Sequence, residues 1–130
     1  MRVSLAIAVV CLGLVTQVAA QPAAVTPVNS LVIEGSHTFC GGACKLYTLS
    51  VTSGSSAGFV EVFNLNFDPS DGALTQPPTY CWNWPASTGQ GYTWAIGAQF
   101  TAGMTVVYST GADCLHKTES ATAFFTVQIQ

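Results

Sequence analysis

The chain has 130 residues, of which 49% are hydrophobic and only 7% charged, with a formal net charge of −3. Such a composition excludes intrinsic disorder, which needs few apolar residues and much charge. Three Lys and Arg in all leave no basic patch for nucleic acid, and the length suits one domain and not two.

Residues 1–20 read as a secretory signal peptide. Arg2 supplies the positive start, Leu5–Val15 is an unbroken apolar run of eleven residues, and Val18-Ala19-Ala20 puts small residues at a cleavage site. The run is short of the roughly 20 residues that span a bilayer, so no stable membrane insertion is expected after cleavage. Cys11 leaves with the peptide. The remaining chain keeps Lys45 and Lys117 as its fixed positive charges against Glu34, Glu61, Asp68, Asp71, Asp113 and Glu119. That acidity favours solubility and opposes anionic partners.

Residues 21–30, with Pro22 and Pro27, read as a flexible leader, and residues 31–130 as the folded domain. Leu31-Val32-Ile33 is a candidate first strand. From Lys45 to Thr52 the period is two, with Tyr47, Leu49 and Val51 on one face and Thr48, Ser50 and Thr52 on the other. Ser53–Ser56 is a turn cluster, and Gly58–Asn66 is apolar on both faces, as a central strand would be. Asp68-Pro69-Ser70-Asp71-Gly72 is a strong turn, and Pro77-Pro78 extends it. Tyr80–Trp84, Tyr92–Ile96, Met104–Ser109 and Ala121–Ile129 read as strands, with Gly97–Gly103 a break. No window has helical spacing with caps. About seven short strands with regular turn signals predict an antiparallel β-sandwich, jelly-roll or immunoglobulin-like, with a small barrel as the alternative.

Cys40, Cys44, Cys81 and Cys114 remain after cleavage, and an even count in an exported chain reads as two disulfides. Three pairings are possible. Cys40–Cys44 with Cys81–Cys114 is favoured, because Gly41 and Gly42 permit the tight ring. A four-cysteine zinc site is the rival, weakened because Cys40 and Cys44 lack a second close pair.

From Lys45 onward the chain resembles a group of small all-β proteins of proteobacteria and their phages. The likeness rests on Leu46-Tyr47 with Leu49 and Val51, Ala57-Gly58-Phe59-Val60, Asp71-Gly72, Cys81 with Trp84-Pro85, Phe100 and Gly103. It continues through Val106-Val107-Tyr108-Ser109-Thr110, Cys114 with Lys117-Thr118, and Ser120–Phe125. It spans about two-thirds of the chain and implies a compact all-β domain, without an activity or site to transfer. A phage-derived virion-type structural protein is one reading of it. The signal peptide and the Cys40–Cys44 loop depart from the group and favour an exported bacterial protein.

Catalytic groups are sparse. His116 lies near Asp113, Lys117 and Glu119, a setting for a general base that a solvated loop beside a disulfide explains as well. His37 reads as an exposed loop residue, with Glu34 its nearest acid. Asp68 and Asp71, three apart, suit calcium or a glycosidic bond, although turns use Asp more often for local backbone hydrogen bonds. The chain has no nucleophile elbow, metalloprotease helix motif or phosphate-binding glycine loop. It reads as no enzyme, and nothing in it asks for a cofactor or metal.

Ligand binding has one candidate. Trp82, Trp84 and Trp94 fall within thirteen residues. Tyr80, Trp82 and Trp84 share a strand face opposite Cys81 and Asn83, and Tyr92 and Trp94 share a face of the next strand, expected across a hairpin. Such rings stack on sugars, with Asn83 as a hydrogen-bonding partner, or they fill the core. The charge-poor exterior points elsewhere, to a secreted or periplasmic domain that assembles with other protein subunits or attaches to a cell-surface component. Interaction without catalysis is therefore the leading expectation, and a glycan-binding module the alternative.

Overall fold

The structure, a computed structural model, describes residues 23–120 and 122–130. The signal-peptide reading and Cys11 lie outside the described residues. Two four-stranded antiparallel sheets stack face to face. The first has the order β1 (Thr26–Asn29), β10 (Ala123–Ile129), β3 (Cys44–Ser53), β7 (Gly89–Phe100). The second runs β2 (Ser36–Cys40), β8 (Met104–Ser109), β4 (Gly58–Phe63), β6 (Tyr80–Trp84). Among these eight strands the first pairs with the last, the second with the seventh, the third with the sixth and the fourth with the fifth, which is the jelly-roll arrangement. A ribbon of β5 (Gly72–Ala73) and β9 (His116–Lys117) is added outside the sandwich.

Alternation builds the core. Leu49, Val51, Phe125 and Val127 point inward from the first sheet, and Val60, Val62, Val106 and Tyr108 from the second, all fully buried. Both disulfides form as favoured, Cys40–Cys44 and Cys81–Cys114, so the zinc alternative falls: oxidised sulfurs are not thiolate ligands.

Several local expectations need correction. Leu31-Val32-Ile33 is not a strand but the crossover from β1 to β2, because the chain changes sheets there. Thr26–Asn29, expected within a flexible leader, pairs along β10. A register shift between Leu46 and Thr48 turns Leu46 inward in place of Tyr47, whose hydroxyl donates to Gln130 Oε1 at 3.0 Å. The expected break after Ile96 is a bulge inside β7, where Trp94–Gly97 stand opposite Tyr47 alone. Gly97 has φ +74°, and a Cβ there would come within 3.0 Å of the Tyr47 ring.

Candidate functional site

Three regions hold the chemistry-bearing side chains. In the first, the aromatic residues gather, though not as a hairpin: β6 and β7 belong to different sheets and are edge strands on the same side of the sandwich. Register places Trp82 opposite Val60 and Tyr92 opposite Leu49, so both rings point inward and meet across the open edge. Trp82 stacks on Tyr92 at 4.3 Å and 15°, and on Tyr80 at 5.5 Å and 4°. Trp94 lies tilted, 5.4 Å from Tyr80 and 6.1 Å from Trp82. These four side chains are half-buried. Trp84 is fully buried, its indole N–H donating to the Thr88 carbonyl at 3.3 Å. Asn83 pairs with Phe59 and projects from the opposite face of β6, exposed. Of the five residues singled out for ligand binding, Trp82, Tyr92 and Trp94 come together, while Trp84 belongs to the core and Asn83 faces away.

The second region lies on the outer face of the second sheet. Phe63, Thr105, Val107, Ser109 and Glu61 are fully buried there, although an outer sheet face ordinarily meets water. The segments that follow β4 and β8 fold back over it and pair as the β5–β9 ribbon, tied down by Cys81–Cys114. Lys117, 2% exposed, sits under this lid. Its Nζ donates to Asp68 Oδ1 and Oδ2 at 2.8 and 2.9 Å, to the Pro69 carbonyl at 2.6 Å and to Glu119 Oε2 at 3.1 Å. Asp71 Oδ1 is 3.5 Å away. Burial works against the ammonium, but the hydrogen bonds and charges of Asp68 and Glu119 outweigh it and hold the Lys117 pKa above its ordinary value. Asp68 and Asp71, the candidates for calcium, thus converge on the chain's own cation. Among the described residues no three His, Cys, Asp or Glu side chains are placed to hold a metal ion.

Both histidines pair with an acid three residues earlier. His116 Nδ1 lies 2.9 Å from Asp113 Oδ1, both side chains more than half exposed. Hydrogen bonds from His116 and from the Leu115 amide lower the Asp113 pKa. His37, expected in a loop, lies in β2 with Nδ1 2.7 Å from Glu34 Oε1.

The third region escaped the sequence reading. On the β1–β2 crossover Leu31, Val32 and Ile33 are 92%, 62% and 67% exposed. The loop is clamped at both ends to β10. The Ser30 amide donates to the Phe125 carbonyl at 2.8 Å, and the Phe125 amide to Ser30 Oγ at 2.9 Å. Glu34 exchanges backbone hydrogen bonds with Ala123 at 2.8 and 3.2 Å. Two backbone anchors thus hold three neighbouring aliphatic side chains in water.

No protein-family profile, curated protein or solved structure matches the chain.

Proposed function

We propose that this chain is an exported, non-catalytic interaction domain that assembles with other protein subunits, its own copies included, through the Leu31–Ile33 loop. The observation that carries this reading is the clamped loop. Three large aliphatic side chains gain nothing from water, and a loop fixed at both ends loses little further entropy when a partner covers them. A surface with few charges adds little repulsion between copies. The two disulfides fit an oxidising, extracellular or periplasmic environment, and the signal-like residues 1–20 supply the route. Jelly rolls serve in viral capsids and in lectins, so topology by itself does not choose among assembly, virion and sugar-binding roles.

Sedimentation velocity of the oxidised chain from residue 21, over a wide concentration range, tests the reading. The expected result is a concentration-dependent coefficient that Leu31→Ser, Val32→Ser and Ile33→Ser together abolish, with an unchanged circular dichroism spectrum. A wild-type coefficient that stays monomeric and equals that of the triple variant overturns self-assembly.

Glycan binding is the second reading, favoured by Tyr80, Trp82, Tyr92 and Trp94 standing together, half-exposed, in the mouth between β6 and β7. Against it, the Trp82 ring stacks on two neighbours, leaving less of its faces for a sugar. A ligand-dependent shift in tryptophan fluorescence across a glycan panel, lost in Trp94→Ala, supports this reading. A blue-shifted signal that no glycan moves rejects it.

A further inference from the structure

Glu61 is buried in an environment that does not suit a carboxylate. On β4 it stands opposite Cys81 of β6 and Val107 of β8, so its side chain points outward, beneath the lid. It is fully buried, and neither carboxylate oxygen has a hydrogen-bond partner. The second sheet offers it no charge from these neighbours: Cys81 is locked in a disulfide and Val107 is apolar. The lid offers Lys117 from β9, with Asp113 from the segment before it. An ammonium has three N–H donors, and those of Lys117 already serve Asp68, the Pro69 carbonyl and Glu119. Around the same ammonium Asp71 adds a further negative charge. His116, the remaining titratable group of β9, is turned to the surface against Asp113.

We infer that the lid formed by β5, β9 and their flanking segments is a pH-gated cover, shut over the second sheet while Glu61 is a neutral acid and loosened when Glu61 ionises. A neutral carboxyl tolerates an apolar slot better than a carboxylate does, because the charged form loses far more hydration. Once ionised, Glu61 needs donors. They come from entering water or from Lys117 after it releases an acid of the lid, and either requires the lid to lift. Cys81–Cys114 keeps the lifted segment tethered. Lifting uncovers Phe63 and Val107, so the device controls access to an apolar surface separate from the Leu31–Ile33 loop.

Burial, opposed by Lys117 and assisted by Asp113, raises the Glu61 pKa from 4.5 to about 7. If the open lid restores the ordinary value, linkage makes opening roughly thirtyfold more favourable at about pH 8.5 than at about pH 5.5.

Hydrogen–deuterium exchange of the intact oxidised chain at those two pH values, corrected for the intrinsic rate, tests this. Residues 64–79 and 110–120 should lose roughly thirtyfold in protection at the higher pH, and at both pH values should be less protected than β3 and β10, as a local opening requires. Glu61→Gln should keep the lid protected at both. Equal wild-type lid protection at the two pH values overturns the inference, and so does a pH response in Glu61→Gln equal to that of the wild type. The carboxyl carbon shift of Glu61 in the wild-type chain gives a second reading that needs no variant. A midpoint near 7 that coincides with lid loosening supports the gate, and titration in the ordinary carboxylate range overturns it.

Discussion

The strand β6 has two faces that solve burial in opposite ways. Tyr80, Trp82 and Trp84 point inward and close the open edge of the sandwich with hydrocarbon, meeting Tyr92 and Trp94 of β7. Its other face carries Cys81, which staples down a lid whose interior holds an ammonium, its acids and a carboxyl with no partner. The aromatic wall depends on area removed from water. The lid side depends on matched charges and on one proton. Stability should therefore be concentrated at the wall and sensitivity to conditions at the lid.

The sharpest probe of the wall is the contrast between its two kinds of ring. Trp84→Ala removes a fully buried indole and its hydrogen bond, and should cost about 4 kcal/mol. Trp82→Ala removes a half-buried ring whose site water can enter, and should cost about 1–2 kcal/mol. Urea unfolding of the two variants measures the difference. Equal losses would mean that the edge is as dry as the core and that no ligand reaches it.

The lid should respond to its staple next. Replacing Cys81 and Cys114 with Ala frees a loop of sequence separation 33, worth about 3–4 kcal/mol in the chain-entropy model. The same change at Cys40 and Cys44, with separation 4, should cost about 2 kcal/mol. Thermal unfolding of both pairs ranks them, and a reversed order would mean that the lid folds without being held.

A slightly smaller effect comes from pH. Because the Glu61 pKa is raised on folding, the native state binds a proton that the unfolded chain has released. Stability is greatest below about 4.5, falls as pH rises to about 7 and is then level with respect to this group. The loss is about 3 kcal/mol at 1.36 kcal/mol per unit. Chemical denaturation across that window should show a decline in the wild type that Glu61→Gln largely removes. A wild-type profile as flat as the variant's would make the two faces of β6 alike.

What could be read from the sequence follows the same division. Period-two alternation exposes a wall of rings, because each strand declares which residues share a face. The favoured disulfides were legible because Gly41 and Gly42 announce a tight ring and leave Cys81 and Cys114 as the long partners. Lys117 and Asp68 lie 49 residues apart, and no local pattern brings them together. Asp68 and Asp71 read as a turn or an ion site because their cation arrives from a distant loop. Glu61 passed unremarked in the apolar run Gly58–Asn66, where an acid between Val60 and Val62 was the available signal. Leu31–Ile33 misled for the converse reason: three aliphatics in a row look like a strand, and only the clamps at Ser30 and Glu34 show that β10 has no pairing left for them.

The least effect on stability, and the most telling for function, belongs to that loop. Its side chains are already in water, so replacing all three with Ser removes little buried area and should change the unfolding free energy by less than about 0.5 kcal/mol. Because the anchors are backbone and Ser30 contacts, the loop should keep its shape in the variant. Unfolding midpoints that match while the sedimentation behaviour diverges would separate a contact surface from a structural one. A large loss of stability would instead show that the aliphatics pack against the domain in solution, leaving the aromatic mouth between β6 and β7 as the stronger place for a partner to bind.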